Sequence, residues 1–159
     1  MKLIVAVDEA GGIAKNGKIP WVCKEDQQMF KLLTIGDKVA MGMNTWSSIR
    51  RPLTDRYNMV ITRNESLLWS DTANGHREFG FFTLDAALSE ADWIIGGEEI
   101  YKAALSSIEL DQIYISRIKG LYDCDKFFTI PSGWKKASEI KFDNFTLEKW
   151  IGENLWASY

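Results

Sequence analysis

Apolar positions along the chain fall into short runs, broken by glycine- and proline-marked turns. Lys2 to Val7 is an apolar run rich in valine and isoleucine and reads as a buried strand. Lys38 to Gly42 and Tyr57 to Thr62 give two more short strands, and Phe79 to Phe82 another. Asp92 to Ile95 is a strong strand that runs straight into Gly96-Gly97. Gln112 to Ile118 alternates as a strand, and Trp134 to Phe142 with Phe145 to Trp156 suggests a closing antiparallel pair. Helical stretches separate the early strands. One runs from Lys24 and ends at Gly36-Asp37. A short one starts at Asn44, with Asn or Thr as cap, and is closed by Pro52. Leu84 to Ala91 is capped at Thr83, and Glu98 to Ser106 forms the next. Ala10 to Lys18 is turn chemistry, with an Asn-Gly pair, and Leu67 to Glu78 is irregular and polar.

Strands alternating with helices argue an α/β sheet covered on both faces, with the late pair adding an antiparallel edge. A length of 159 residues argues one domain with a sizeable core. With 46% hydrophobic and 26% charged residues the composition is that of an ordinary globular chain. A net charge of −3 leaves no electrostatic footprint for nucleic acid. The apolar N-terminal run stops at Asp8-Glu9, too short for a signal peptide or a membrane span. Cys23 and Cys124 form neither a CxxC pair nor a metal spacing, which suits reduced thiols in the cytosol. The single His76 lies in a polar run and reads as a surface loop residue, which argues against a histidine metal site or a Ser-His-Asp triad. Seven tryptophans and eight phenylalanines suit a flat aromatic ligand, though a Trp-rich core accounts for most of them.

The helix from Lys24 carries one anomaly. Asp26, Phe30 and Leu33 stand at i, i+4 and i+7, so a carboxylate shares the apolar face. Aspartate is also common in a first helical turn because the macrodipole favours it there. The alternative is a half-buried acid at the floor of a pocket, where burial raises its pKa.

Gly42-Met43-Asn44-Thr45, Thr62-Arg63-Asn64 and Gly96-Gly97-Glu98-Glu99 each follow a strand and look built for phosphate. Gly96-Gly97 is not a GxGxxG fingerprint, so generic dinucleotide-fold logic does not apply. Arg63 could pair with a phosphate monoester or be a solvated loop residue. Arg51 and Arg56 flank Pro52-Leu53-Thr54-Asp55, where they could clamp a carboxylate or be plain surface charge.

Five fragments in order carry a family resemblance. They are Pro20-Trp21 with Asp26 and Phe30-Lys31; Met41-Gly42-x-x-Thr45-Trp46-x-Ser48-Ile49; Arg51-Pro52-Leu53 with Arg56-x-Asn58; Ile95-Gly96-Gly97-x-Glu99-Ile100-Tyr101; and Asp125 with Phe127-Phe128. Over nearly its whole length the chain resembles dihydrofolate reductase. The resemblance implies a single-domain, three-layer α/β fold over residues 1–159, with a mostly parallel central sheet and an antiparallel C-terminal edge strand. It implies NADPH-dependent reduction of dihydrofolate to tetrahydrofolate, with hydride passing to pterin C6 and a proton to N5. A cytoplasmic, monomeric antifolate target with no nucleic-acid or membrane partner is expected.

The same resemblance assigns roles. Asp26 would accept hydrogen bonds from the pterin. Ile4, Val5, Ala6, Phe30, Ile49, Ile95 and Tyr101 would line the slot for pterin and nicotinamide, with Gln27 and Leu53 at the substrate side. Trp21 and Ser116 would fix a water near Asp26. Arg56 would bind the glutamate α-carboxylate, with Arg51 nearby. Gly12, Ile13, Ala14, Lys15, Asn16, Gly17 and Lys18 would form the loop that closes over the nicotinamide. Asn44, Thr45, Thr62, Arg63, Gly96, Gly97, Glu98, Glu99, Ile100 and Tyr101 through Ala103 would hold the dinucleotide phosphates. No second acid appears near Asp26 in these motifs, so the proton is expected through a water that the loop admits.

Four positions depart from the family pattern. Met43 stands where an arginine often reaches the cofactor phosphates, and Glu99 where some members have a basic residue. Ala14 replaces a frequent glycine in the loop, and Gln27 replaces an apolar residue beside the acid. Two rivals remain at this point. One is a related pterin or ribosylaminopyrimidine reductase, against which Arg56 argues. The other is a folate-binding structural protein without turnover, against which Asp26 and Trp21 argue.

Overall fold

The computed structural model describes residues 1–68 and 78–156. The strands are β1 (Lys2–Val7), β2 (Gly12–Ala14), β3 (Lys38–Gly42), β4 (Tyr57–Ile61), β5 (Phe79–Phe82), β6 (Trp93–Ile94), β7 (Gln112–Ile118), β8 (Lys126–Phe127), β9 (Trp134–Lys141) and β10 (Phe145–Gly152). The helices are α1 (Lys24–Thr34), α2 (Met43–Ile49), α3 (Glu65–Leu68), α4 (Leu84–Glu90), α5 (Glu98–Leu105) and α6 (Glu153–Trp156). Eight strands form one sheet in the order β5-β4-β3-β6-β1-β7-β10-β9. From β5 to β7 every neighbour is parallel. β10 then pairs antiparallel with both β7 and β9, which makes β9 the edge.

The central strands are apolar on both faces because helices cover both. In β1, Leu3, Val5 and Val7 join Ile113 and Ile115 of β7 in one cluster, together with Ala87 of α4 and Tyr101 and Ala104 of α5. Ile4 points the other way, to Val39, Met41 and Trp93, with Phe30 and Leu33 of α1 and Trp46 and Ile49 of α2 packed against them. Side chains alternate along a strand, so a one-residue slip would exchange the two sets. Each such aliphatic side chain gains about 1.5–3 kcal/mol from burial, which pins the register.

Several elements differ from the sequence expectation. The glycine-rich loop contains β2, which pairs with β8 in a second, two-stranded sheet. Both strands are too short for periodicity to register. Helix α2 starts at Met43, its N-cap is Gly42, and no side chain caps it, so neither Asn44 nor Thr45 serves that role. It ends at Ile49, before Pro52, because Arg50 turns left-handed at φ 61°. Thr83 does cap α4, its hydroxyl accepting from the Ala86 N–H. Leu67 and Leu68, at the start of the stretch expected to be irregular, lie in α3; the last strand stops at Gly152, and α6 follows. The expectation for His76 falls outside the described residues.

Candidate active site

Helix α1 lies across the sheet with Asp26 in its first turn and Phe30 one turn on. The half-buried Asp26 carboxyl is pushed above the ordinary carboxylate range by burial, and the hydroxyl of buried Ser116 on β7 partly opposes this. The same carboxylate, after burial, helps raise the Tyr101 phenol. The two groups therefore share one field. Trp21, just before α1, is 8% exposed and meets Tyr122 edge-on at 5.4 Å between ring centroids.

The slot expected beside Asp26 would draw its walls from α1, α2 and the β1 and β6 strand ends. Ile4, Phe30, Ile49, Leu53 and Ile95 belong to one cluster there. Ala6 lies with Trp21 next to it. Val5 does not point into the slot: strand alternation sends its side chain into the opposite cluster with Leu3 and Val7, leaving only its backbone on this side. Gln27 is exposed on α1.

At the far end of the slot stands Arg56, 9% exposed. Its Nε donates to the Thr54 carbonyl at 3.0 Å and its Nη1 to Thr34 Oγ1 at 3.1 Å. Burial lowers its pKa somewhat, and the neighbouring Asp55 works the other way. Among the described residues Nη2 has no hydrogen-bond partner. Arg51 is exposed.

On the other side of the slot the chain makes a glycine cradle. The Gly42 N–H donates to the Gly96 carbonyl at 2.9 Å, joining the starts of α2 and α5. The Gly96–Gly97 peptide is cis, and Gly96 has φ +125°. A Cβ on Gly96 would stand 3.1 Å from Tyr101 Oη, and one on Gly42 would stand 3.1 Å from Ile100 Cγ1. Tyr101 Oη lies 2.9 Å from the carbonyl oxygens of both Ile4 and Ile95 and so ties the cradle to the strand ends. Neither α2 nor α5 has a side-chain cap, so their first N–H groups stay available to an anion. Gly97 faces Thr45, with 3.5 Å from the position of a Cβ to Thr45 Oγ1. Asn44 is exposed in the same first turn. Thr62 is buried and its hydroxyl accepts from the Asn64 N–H at 3.0 Å, whereas Arg63 beside it is exposed. Glu98 is tied to Lys102, and Glu99 is exposed.

A family model described as dihydrofolate reductase matches residues 1–149. The dihydrofolate reductase of Heliothis virescens is 34% identical, the match covering 80% of this chain and 78% of that protein. That of Pneumocystis carinii is 35% identical over 96% of this chain and 85% of its own length. That of Staphylococcus haemolyticus is 32% identical over 89% and 84%. The chain belongs to the dihydrofolate reductase family. It is an enzyme of this type, reducing dihydrofolate to tetrahydrofolate. The family uses NADPH. The α/β architecture, with its mostly parallel sheet and antiparallel late strands, is that of dihydrofolate reductases.

The structure adds groups that the sequence motifs of dihydrofolate reductase did not bring out. Asp8, 1% exposed, closes β1: Oδ1 accepts from the N–H groups of Ala10 and Gly12 at 2.9 and 2.8 Å, and Oδ2 from Tyr122 at 3.1 Å. Burial pushes its carboxyl up, but these donors outweigh it and hold the group below the ordinary range. A Cβ on Gly12 would meet Cys124 at 2.3 Å, so β2 can lie against the loop before β8 only with glycine there. Ile13 and Ala14 follow on β2, and Lys15 and Lys18 bridge each other around Asn16 (φ 50°) and Gly17 (φ 75°). The Asn16 N–H donates to Asp125 Oδ2 at 2.9 Å. An Asp so far along the chain from its partner leaves no spacing signal, which is why only the late motif hinted at Asp125.

Proposed function

We propose that this enzyme reduces 7,8-dihydrofolate with NADPH, acting as a monomeric single domain in the cytoplasm. The observation that carries the site assignment is the half-buried Asp26 beside Ser116, on the helix that packs Phe30 against the cluster of Ile4. NADPH, when bound, supplies the hydride that the pterin C6 receives. Its residues of attachment would be Asn44, Thr45, Thr62, Arg63 and the turn from Gly96 to Tyr101. Support for the fit comes from the glycine cradle, which a Cβ would fill, and from two uncapped helix starts that suit phosphate oxygens.

The chain's own work is binding, orientation and proton management. Phe30, Ile49 and Ile95 hold two flat rings face to face and exclude water, which supplies proximity without covalent chemistry. Asp26 accepts hydrogen bonds from the pterin amino group and ring nitrogen. Burial raises its pKa, and the proton reaches N5 through a water that the loop admits. Arg56, fixed on two sides, offers Nη2 to the glutamate α-carboxylate. The strand pair β2–β8 and the Lys15–Lys18 turn close over the nicotinamide.

The test is to mix protein, NADPH and dihydrofolate and follow nicotinamide absorbance. A fall in absorbance with formation of tetrahydrofolate is expected. Oxidation only with a tail-less pterin or pyrimidine would point to the related reductases, and binding without oxidation to a protein without turnover.

A further inference from the structure

We infer that Lys126, which rests against Glu98 at the first turn of α5, is the cation that meets the bridging diphosphate of the dinucleotide. The inference rests on the NADPH reading above.

Position 43 is methionine, and residues 98 and 99, the first turn of α5, are both glutamate. A diphosphate settling on the Gly96–Gly97 cradle therefore arrives beside two carboxylates, which oppose it unless cations offset them. Among the described residues two cations reach Glu98. Lys102, one turn further along α5, sets Nζ 2.8 Å from Oε1 in a hydrogen bond. Lys126 comes from β8 and sets Nζ 3.4 Å from Oε2. Glu98 Oε2 is buried and has no hydrogen-bond partner among the described residues, so the contact with Lys126 is a loose ion pair. Glu99, the remaining charged group of that turn, is exposed.

The two lysines are thus not equivalent. Lys102 is locked to Glu98 and neutralises it. Both lysines are more than half exposed, but Lys126 has the longer contact and is the less firmly held, and it reaches the side chain that directly follows Gly97. A diphosphate carries more charge and more acceptor oxygens than one carboxylate, so it draws Lys126 from Glu98. Lys126 is also paired with Ala14 across β2–β8, and its neighbour Asp125 accepts from the Asn16 N–H. A bound diphosphate would thus meet a lysine on the strand that pairs with the closing loop.

The test titrates wild type, Lys126→Met, Lys126→Arg and Glu98→Gln with NADPH and NADH at low salt, reading quenching of tryptophan fluorescence. Both cofactors carry the diphosphate, so Lys126→Met should weaken both by roughly tenfold. Lys126→Arg should restore both. Glu98→Gln should tighten both, because it removes an opposing charge; a purely structural ion pair would instead lose affinity when either partner is changed. Equal affinity of Lys126→Met and wild type overturns the inference and leaves the NADPH reading standing. So does a loss confined to NADPH, or weaker binding by Glu98→Gln. If wild type binds neither nucleotide, the NADPH reading falls and takes this inference with it.

Discussion

The guanidinium of Arg56 lies over the ring of Phe30, with Cζ 5.6 Å from the ring centroid, while Nη1 donates to Thr34 on the same helix. Helix α1 thus holds both the apolar wall of the slot and the cation at its end. Asp26, Phe30 and Thr34 stand at four-residue steps, one above the other.

This arrangement predicts a tail-specific defect. Arg56→Lys keeps the charge but loses the planar fork. KM for dihydrofolate should rise about tenfold or more, the scale of a lost charge-assisted bond. Dihydropteroate, which lacks the glutamate, should be turned over as before. An equal loss for both substrates would make Arg56 a structural residue only.

Asp8 predicts a pH-dependent stability. Its folded pKa lies below the ordinary carboxylate value of about 3.9, so its stabilisation is present above that value. It is lost as pH falls through the lower, folded pKa. In Asp8→Asn, Oδ1 can still serve Ala10 and Gly12, but the amide NH2 would face the Tyr122 N–H. That orphaned donor costs about 1–3 kcal/mol at neutral pH. Denaturant titrations should show this gap near neutrality and a narrower one in acid. A gap that is constant with pH would mean that shape, not charge, matters at this position.

How much of this was legible in the sequence depends on the range of each interaction. Strands such as Lys2–Val7 and Gln112–Ile118 announce themselves by local apolar pattern, and the placement of Asp26 with Phe30 follows from helical spacing alone. β2 and β8 do not, because strands of two and three residues carry no period and exist only through each other. The direction of Val5 needed only strand alternation, yet a family role assigned to a run of residues hid it. Asn44 and Thr45 look like caps in the sequence, but Gly42 takes the cap position of α2 and its N–H is bound to the Gly96 carbonyl. Contacts such as Lys126 with Glu98 join distant segments and leave no sequence trace.

Arg63 is exposed next to buried Thr62, in the second of the three phosphate-type junctions. If it reads the 2′-phosphate, Arg63→Ala should weaken NADPH about tenfold or more and leave NADH nearly unchanged. Equal weakening of the two cofactors in a binding titration would place the 2′-phosphate contact elsewhere.

Gln27 follows Asp26 on α1 and is exposed. A diaminopyrimidine inhibitor docked on Asp26 lays its benzyl ring on the wall beside it. The Gln27 amide, covered without a partner, would cost about 1–3 kcal/mol of affinity. Trimethoprim should therefore inhibit Gln27→Leu more tightly than wild type, by one to two powers of ten on the scale of that cost. Identical inhibition constants would show that the amide turns away into solvent.

The central claim is that turnover depends on the Asp26 carboxylate. Its folded pKa is raised, so whatever stability the group contributes is present below the unfolded value of about 3.9 and lost as pH rises through the folded one. Asp26→Asn should therefore melt no lower than wild type at neutral pH, which separates lost chemistry from lost fold. The decisive measurement is the steady-state oxidation of NADPH by dihydrofolate across pH, for wild type and Asp26→Asn, alongside NADPH binding by fluorescence. The account predicts intact NADPH binding and a kcat reduced at least about a hundredfold at neutral pH, the scale of a lost general acid–base group. Near-wild-type turnover by a folded, NADPH-binding Asp26→Asn would contradict it.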